Sequence, residues 1–175
     1  HYFPESKKCD HFITQHDDTL SLSANYMIEA LERADGTMLF AGYDGRLNVF
    51  NPDKKNFKRF EIRKKSRKND LIQITKLFED SEQRLWVGTT DGVYSFDQNT
   101  GSFSSLITDE MNKKVFLDNQ VNAILEYGDG LFWVGTSKKG IIPLERSTDN
   151  GKQLFLSDFP ALLTDYEIVE LFKDI

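Results

Sequence analysis

Hydrophobic and polar residues alternate in short runs along this chain, and the same kind of run recurs three times. The runs lie at 26–31, 72–78 and 121–125. A period of two predicts half-buried β-strands, because successive side chains of a strand point to opposite faces of its sheet. The sequence contains no long stretch with the apolar spacing of a helix. The pattern therefore predicts an all-β fold.

A second recurring strand carries a large aromatic residue, with glycine two positions later. Aligned by these letters, the three copies are separated by 46 and then 47 residues. The repeat positions are Phe40, Gly42, Trp86, Gly88, Trp133 and Gly135. We predict structural roles for all six, because a ligand site seldom needs the same residue in every copy. The rings can fill the wedge between neighbouring units, and the glycines permit a close backbone approach or an unusual φ.

Each copy continues through a glycine turn into a third strand, and through a polar turn into a weaker fourth strand. Four short strands in roughly 40–50 residues are typical of a β-propeller blade. We predict a partial propeller of four-stranded antiparallel blades over 1–175, with about three complete blades and partial blades at both ends. Its predicted divisions are 1–22 (the end of a blade), 23–68, 69–118 and 119–164 (complete blades), and 165–175 (a first strand).

The segment Leu85–Asp97 resembles the two-component regulator propeller repeat, whose consensus is close to L-W-I-G-T-x-x-G-L-x-x-F-D. Leu131–Thr136 matches the first half of that consensus, and the copy at Leu39–Asn51 matches it more weakly. Such repeats typically form the periplasmic sensor region of hybrid two-component histidine kinases in Bacteroides-type gut bacteria. There they govern polysaccharide-utilisation genes.

This resemblance implies an extracytoplasmic signal-input fragment of a parent protein that is anchored in the inner membrane. It implies an oligosaccharide ligand, and it implies that the remaining propeller blades and the kinase modules of the parent chain are partners of this fragment. It implies no catalytic residues here, because the kinase and DNA-binding modules do not lie within these residues. Two other functions stay open. One is a propeller scaffold for protein–protein interaction or dimerisation, and the less favoured one is a glycan-cleaving propeller enzyme.

Composition argues against several classes of protein but does not identify the function. The chain has 175 residues, of which 39% are hydrophobic and 29% charged, and its net charge is −6. An acidic balance argues against a general nucleic-acid binder. No apolar run reaches the roughly 18–20 residues that a membrane-spanning helix needs. The single cysteine excludes an internal disulfide framework.

Positive charge is concentrated in one segment. Lys54–Lys68 contains nine basic residues and one acid, so it carries +8 and the rest of the chain carries −14. Such a patch could attract a sulfated or uronic-acid glycan. The alternative, which we favour, is a solvated edge strand and loop, where lysine discourages pairing between sheet edges. The candidate ligand-binding residues are Arg46, Arg63, Lys64, Lys65, Arg67, Lys138 and Lys139.

Other candidate chemistry is weak. Cys9, His11 and His16 could ligate a metal, but their spacing matches no known site, and we predict neither a metal nor a cofactor. No nucleophilic triad or phosphate-binding glycine loop is present in the sequence. An incomplete ring leaves unpaired strand edges, which predicts self-association of the fragment.

Overall fold

The structure, a computed structural model, describes residues 2–3, 8–63, 71–107, 115–116, 119–128, 130–146, 154–156 and 166–172. A two-stranded sheet pairs β1 (Tyr2–Phe3) with β2 (Lys8–Cys9). Sheet I contains β3 (Met27–Glu32), β4 (Met38–Gly42), β5 (Arg46–Asn51), β6 (Asn56–Arg63) and β7 (Leu71–Ile72). Sheet II contains β8 (Ile74–Glu79), β9 (Leu85–Thr89), β10 (Gly92–Asp97) and β11 (Ser102–Ser105). Sheet III contains β12 (Val121–Gly128), β13 (Leu131–Thr136), β14 (Ile141–Arg146) and β15 (Leu154–Leu156).

Neighbouring strands are antiparallel, and they follow chain order within every sheet. This arrangement confirms the predicted all-β partial propeller of antiparallel sheets. The short β7 joins the edge of sheet I by pairing with β6, although it follows the predicted division at residue 68. The division of the chain into blades at 22, 68, 118 and 164 stays a prediction.

The three sheets bury apolar side chains against one another in two clusters. The first lies between sheets I and II, and the second between sheets II and III. The first cluster includes Leu39, Ala41, Leu47, Leu77, Leu85, Val87 and Phe96. The second includes Trp86, Val93, Ile124, Phe132, Val134, Ile142 and Leu144. Sheet II therefore contributes to a core on both of its faces, and every residue of β9 is buried.

Strand pairing shifts the first copy of the repeat by one residue relative to the alignment made from aromatic and glycine residues. Leu39 pairs with residue 31 of β3, Trp86 pairs with residue 78 of β8, and Trp133 pairs with residue 125 of β12. Leu39, and not Phe40, is thus equivalent to Trp86, and the step between copies is 47 residues in both intervals. Similarly, Ala41 stands in the position of Gly88 and Gly135. The alignment from sequence was wrong for the first copy because that copy has leucine where the others have tryptophan.

The repeat rings make different contacts. The Trp86 ring lies 4.0 Å from Phe132, between centroids, so it fills the space between sheets II and III. Trp133 stacks at 4.5 Å on Tyr127 of its own sheet, and Phe40 lies 6.1 Å from Phe57 of its own sheet. The predicted wedge-filling contact is therefore found for Trp86.

Two of the repeat glycines permit close approach of the next part of the chain, which is sheet III for Gly88 and the 166–172 segment for Gly135. A Cβ atom on Gly88 would lie 2.7 Å from Val121 Cγ1, and one on Gly135 would lie 2.5 Å from Ile168 Cγ2. Gly42 serves a different need, since a Cβ there would lie 2.3 Å from the Asp44 carboxylate within the same hairpin. None of the three has a positive φ, so close packing explains these glycines.

The first strands of the three sheets lie next to one another. Lys76 Nζ lies 3.0 Å from Glu29 Oε1 and 3.4 Å from Glu170 Oε1. Glu29, Lys76 and Ala123 occupy equivalent register positions, and Glu170 follows after a further 47 residues. Burial lowers the pKa of Lys76, but Glu29 and then Glu170 outweigh it, so the net pKa is raised. The 166–172 segment thus reaches the position of a following first strand, although it contains no assigned strand.

Asp80 forms a buried polar junction between sheets II and III. Its carboxylate accepts hydrogen bonds from Trp86 Nε1 at 2.8 Å and from Arg84 Nε at 3.0 Å, and Arg146 Nη2 of sheet III lies 3.0 Å away. Burial by itself raises the pKa of Asp80, but the hydrogen bonds from Arg84 and Trp86 lower it below the usual value. The junction therefore requires the charged form of the acid.

The close approach at Gly88 yields a stability test. Gly88→Ala should lower the free energy of unfolding by about 1–3 kcal/mol, because the new methyl group overlaps Val121 and the side chain of Lys76. Gly128→Ala is the matched control, since Gly128 also lies in a strand and its Cβ would meet nothing within 4 Å. Urea unfolding followed by tryptophan fluorescence measures both variants. Equal losses in the two variants would contradict the packing explanation.

The Asp80 junction predicts a pH-dependent loss of stability. Asp80→Asn should lower the free energy of unfolding at neutral pH by about 1.5–3 kcal/mol, because charged hydrogen bonds to a buried group are lost. Because the pKa of Asp80 is lowered in the folded state, its ionised carboxylate stabilises the fold fully above the ordinary value of 3.8. This stabilisation is lost as the pH falls below that value. The difference between variant and wild type should shrink correspondingly. Asp53→Asn, in an exposed turn, is the control.

Candidate functional site

One end of sheet I exposes two tyrosine rings side by side. Tyr26 precedes β3, and Tyr43 lies in the hairpin between β4 and β5. Their side chains are 67% and 62% exposed, and their ring centroids lie 5.6 Å apart in an edge-to-face arrangement. The Tyr43 N–H donates to the Tyr26 carbonyl at 2.9 Å, which fixes the hairpin to the start of β3. Two adjacent aromatic rings leave a large apolar area exposed to solvent, and such an area marks a contact surface.

A polar cluster lies in the same hairpin. Asp44 accepts a hydrogen bond from Arg46 Nη1 at 2.8 Å and another from Ser23 Oγ at 3.0 Å. The buried Asn48 orients Ser23 from below, since its amide oxygen accepts from the Ser23 N–H at 2.9 Å and its amide nitrogen donates to Ser23 Oγ at 2.9 Å. The absence of a side chain at Gly42 leaves room for the Asp44 carboxylate. We call Ser23, Tyr26, Tyr43, Asp44 and Arg46 the hairpin site.

The hairpin site continues to the end of β6 through acid–base pairs. Glu61 lies 3.3 Å from Arg46 Nε and accepts a hydrogen bond from Arg63 Nε at 2.6 Å. The hydrogen bond to Asp44 raises the pKa of Arg46, and Glu61 adds to this effect. Among the described residues of this surface, two arginines and two carboxylates cancel in formal charge, and they offer fixed hydrogen-bond donors and acceptors.

The structure brings together two of the seven predicted ligand-binding residues, Arg46 and Arg63, through Glu61. Lys138 and Lys139 are exposed in the hairpin between β13 and β14 of sheet III. Their backbone N–H groups donate to Asn119 Oδ1 and Thr136 Oγ1, which fixes that hairpin. The remaining three, Lys64, Lys65 and Arg67, lie outside the described residues.

Part of the predicted basic patch has a structural role. Arg59 donates to the carbonyl oxygens of Asp18, Ser21 and Leu22, each at 2.8 Å, and so holds the incoming segment against sheet I. Lys55 Nζ lies 2.7 Å from Asp10 Oδ2.

Sequence reasoning missed the tyrosine pair, because Tyr26 and Tyr43 meet only through strand pairing. The signal available in the sequence was a tyrosine next to the Asp-Gly turn.

Sheet I also carries an apolar groove of about 500 Å³ on one of its faces. Four phenylalanine residues line it, together with one acidic residue, Glu32. Its lining includes Phe12, Glu32, Met38, Phe40, Phe50 and Phe57.

The described residues contain no group of three or more His, Cys, Asp or Glu side chains placed to hold a metal ion. Over the same residues, no helix has the length and apolar character needed to cross a bilayer.

Comparison with protein-family models identifies two repeats in this chain. The model of the two component regulator propeller matches residues 70–91 and 116–138. These segments contain the first two strands of sheets II and III, and they confirm the predicted resemblance. A search of curated proteins found no significant match.

Solved structures with the same fold come from B. thetaiotaomicron. One is the extracellular domain of a proposed hybrid two component system, BT4673, with 19% identity and a TM-score of 0.72; the match covers 99% of this chain and 22% of that one. Another, from the proposed system BT3049, has 18% identity and a TM-score of 0.60 and covers 94% and 20%. The chain therefore spans about a fifth of the length of these proteins. At such identity the similarity establishes the fold.

Proposed function

Because the chain carries two-component regulator propeller repeats, we propose that it is part of the periplasmic sensory region of a hybrid two-component histidine kinase. In this proposal the parent protein is anchored in the inner membrane, and the fragment performs no catalysis. Its ligand is an oligosaccharide, and the response regulates polysaccharide-utilisation genes. The extracellular origin of the structurally similar domains supports the location.

The exposed Tyr26–Tyr43 pair beside Arg46 is the observation that carries the ligand class. A sugar ring presents C–H groups on its faces and hydroxyl groups around its edge. The C–H face packs on an aromatic ring, and the hydroxyls hydrogen-bond to fixed charged groups. The hairpin site supplies both elements within one turn and the start of β3. Its fixed donors and acceptors suit the hydroxyl groups of an oligosaccharide.

The hairpin site is organised before any ligand arrives. Asn48 orients Ser23, Ser23 donates to Asp44, and Asp44 accepts from Arg46, so the guanidinium group needs no further ordering to bind a hydroxyl. The tyrosine rings brace each other. A preorganised surface of this kind loses less conformational entropy on binding, which favours affinity for a flexible chain of sugars.

The same geometry disfavours the glycan-cleaving alternative. A glycosidase needs one carboxyl group that holds a proton near neutral pH and a second carboxylate across the scissile bond. The nearby carboxylates of the hairpin site, Asp44 and Glu61, contact arginine guanidinium groups. This arrangement of paired acids and bases suits the binding of a ligand.

A scaffold role is the second candidate, and one observation favours it. Phe172 is 82% exposed, the largest exposure among the large apolar residues that the structure describes. An exposed aromatic side chain suits contact with another protein element, and Phe172 lies outside the hairpin site.

Binding to a panel of neutral and acidic oligosaccharides tests the sensor proposal. We expect saturable binding without turnover by isothermal titration calorimetry. Tyr43→Ala should weaken binding at least about tenfold, because truncation of an aromatic anchor costs more than about 1.4 kcal/mol. Tyr166→Ala is the control, since Tyr166 is 66% exposed and lies outside the hairpin site.

Three outcomes separate the functions. Loss of binding in Tyr43→Ala with retention in Tyr166→Ala supports the hairpin site. Equal effects of the two substitutions would remove it as the ligand site. Absence of binding to every sugar would favour the scaffold, and release of shorter sugars would favour the enzyme.

A further inference from the structure

The backbone hydrogen bond that fixes the hairpin site recurs in the other two sheets. In each sheet, the residue after the second strand donates its N–H to the carbonyl of the residue before the first strand. The three donor–acceptor pairs, at 2.9, 3.1 and 2.9 Å, are Tyr43–Tyr26, Thr90–Gln73 and Ser137–Gln120. Successive pairs are 47 residues apart. They therefore occupy the same end of all three sheets, and we call these six residues the pair row.

Neighbouring pairs of the row lie on adjoining parts of the chain. A Cβ atom on Gly45, in the hairpin that carries Tyr43, would lie 3.6 Å from the Cα atom of Gln73. The Thr75 hydroxyl, two residues after Gln73, donates to the Val121 carbonyl at the start of sheet III. The first strands of neighbouring sheets also approach within 8 Å, between Cα atoms. The pair row is therefore one surface that crosses all three sheets.

The chemistry of the pairs changes along the row. Sheet I contributes two exposed tyrosine rings, whereas sheets II and III each contribute an exposed glutamine beside a partly buried hydroxyl residue. A glutamine amide offers two N–H donors and an oxygen acceptor, and a serine or threonine hydroxyl both donates and accepts. A sugar hydroxyl likewise donates and accepts. The amide and hydroxyl pairs thus match the edge of a sugar ring, as the tyrosine pair matches its face.

The pair row is longer than one sugar ring. Sheets that pack face to face lie about 10 Å apart, so the three pairs cover about 20 Å. A single sugar stacked on the tyrosines contacts one pair, whereas a chain of several units contacts all three. The pair of sheet III is already ordered, because the Gln120 N–H donates to Ser137 Oγ at 3.1 Å and Gln120 Nε2 donates to Asn122 Oδ1 at 2.9 Å. An ordered surface loses less conformational entropy when it binds a chain.

We propose that the pair row binds a linear oligosaccharide of several units. One sugar packs on Tyr26 and Tyr43, the chain continues past Gln73 and Thr90, and its far end reaches Gln120. The ligand class thereby narrows from sugars in general to chains long enough to cross more than one sheet. This inference rests on the proposed sensor function, because the hairpin site is its first sugar position. It adds that the length of the chain sets the affinity.

Calorimetric titration with sugar chains of graded length tests the pair row. The probes are fragments of one to six units from linear galactan, xylan, mannan and polygalacturonan. In a series that binds, affinity should rise about three- to tenfold for each further pair that the chain reaches, the gain expected from a net hydrogen bond, and then level off. Equal affinity for short and long fragments would overturn the pair row but leave a single-sugar hairpin site. Absence of binding by every fragment would overturn the proposed function as well.

Substitutions along the row separate its positions. Gln73→Ala should weaken the longer fragments about three- to tenfold and leave the shortest binding fragment unchanged, because only long chains reach sheet II. Gln120→Ala should need a longer fragment than Gln73→Ala before it has an effect, and Tyr43→Ala should weaken every fragment. Asn99→Ala removes an exposed amide at the opposite end of sheet II and should change nothing, and circular dichroism checks that all variants fold. A loss in Gln73→Ala that is the same for short and long fragments, or no loss at all, would refute the pair row.

Discussion

The structure depends on one constraint, which is that its sheets are apolar on both faces. In sheet II, Leu85 and Val87 face one cluster while Trp86 faces the other. A sheet of this kind cannot leave either face in water without a large hydrophobic cost, so its stability comes from its neighbours. The sheets therefore follow one another in chain order, each covering the face that the previous one exposes.

Polar contacts fix how the sheets are placed relative to one another. Apolar packing is not directional, and it alone would allow neighbouring sheets to slide. The turn amides that bind Glu79 and Glu126 set one end of each interface, and the close approach at Gly88 and Gly135 sets the other end. Asp80 adds a charged junction whose burial is compensated by several donors. A repeat of 47 residues keeps these contacts in phase.

The sequence was sufficient to predict the fold class, because strand alternation and turns are local signals. The register of the first copy was not predictable from letters, since Leu39 fills the tryptophan position and Phe40 beside it looks more similar to tryptophan. The predicted arginines Arg46 and Arg63 do lie together, but their pairing with Glu61 depends on which residues of β5 and β6 stand opposite each other. The tyrosine pair needed the same cross-strand information. Composition reveals charge, whereas pairing decides whether that charge is neutralised.

The hairpin site and the groove share one boundary of the molecule. Ser23 of the hairpin site belongs to the incoming segment that Arg59 binds at Asp18, Ser21 and Leu22, and the same segment brings Phe12 onto the groove. A ligand that contacts Ser23 and Arg46 together would hold this segment against sheet I. It can shift the arrangement of the preceding strands only by as much as its affinity differs between the bound and released segment. In the proposed sensor function, a ligand at the hairpin site therefore acts through the incoming segment, which Arg59 holds against sheet I by hydrogen bonds to its backbone.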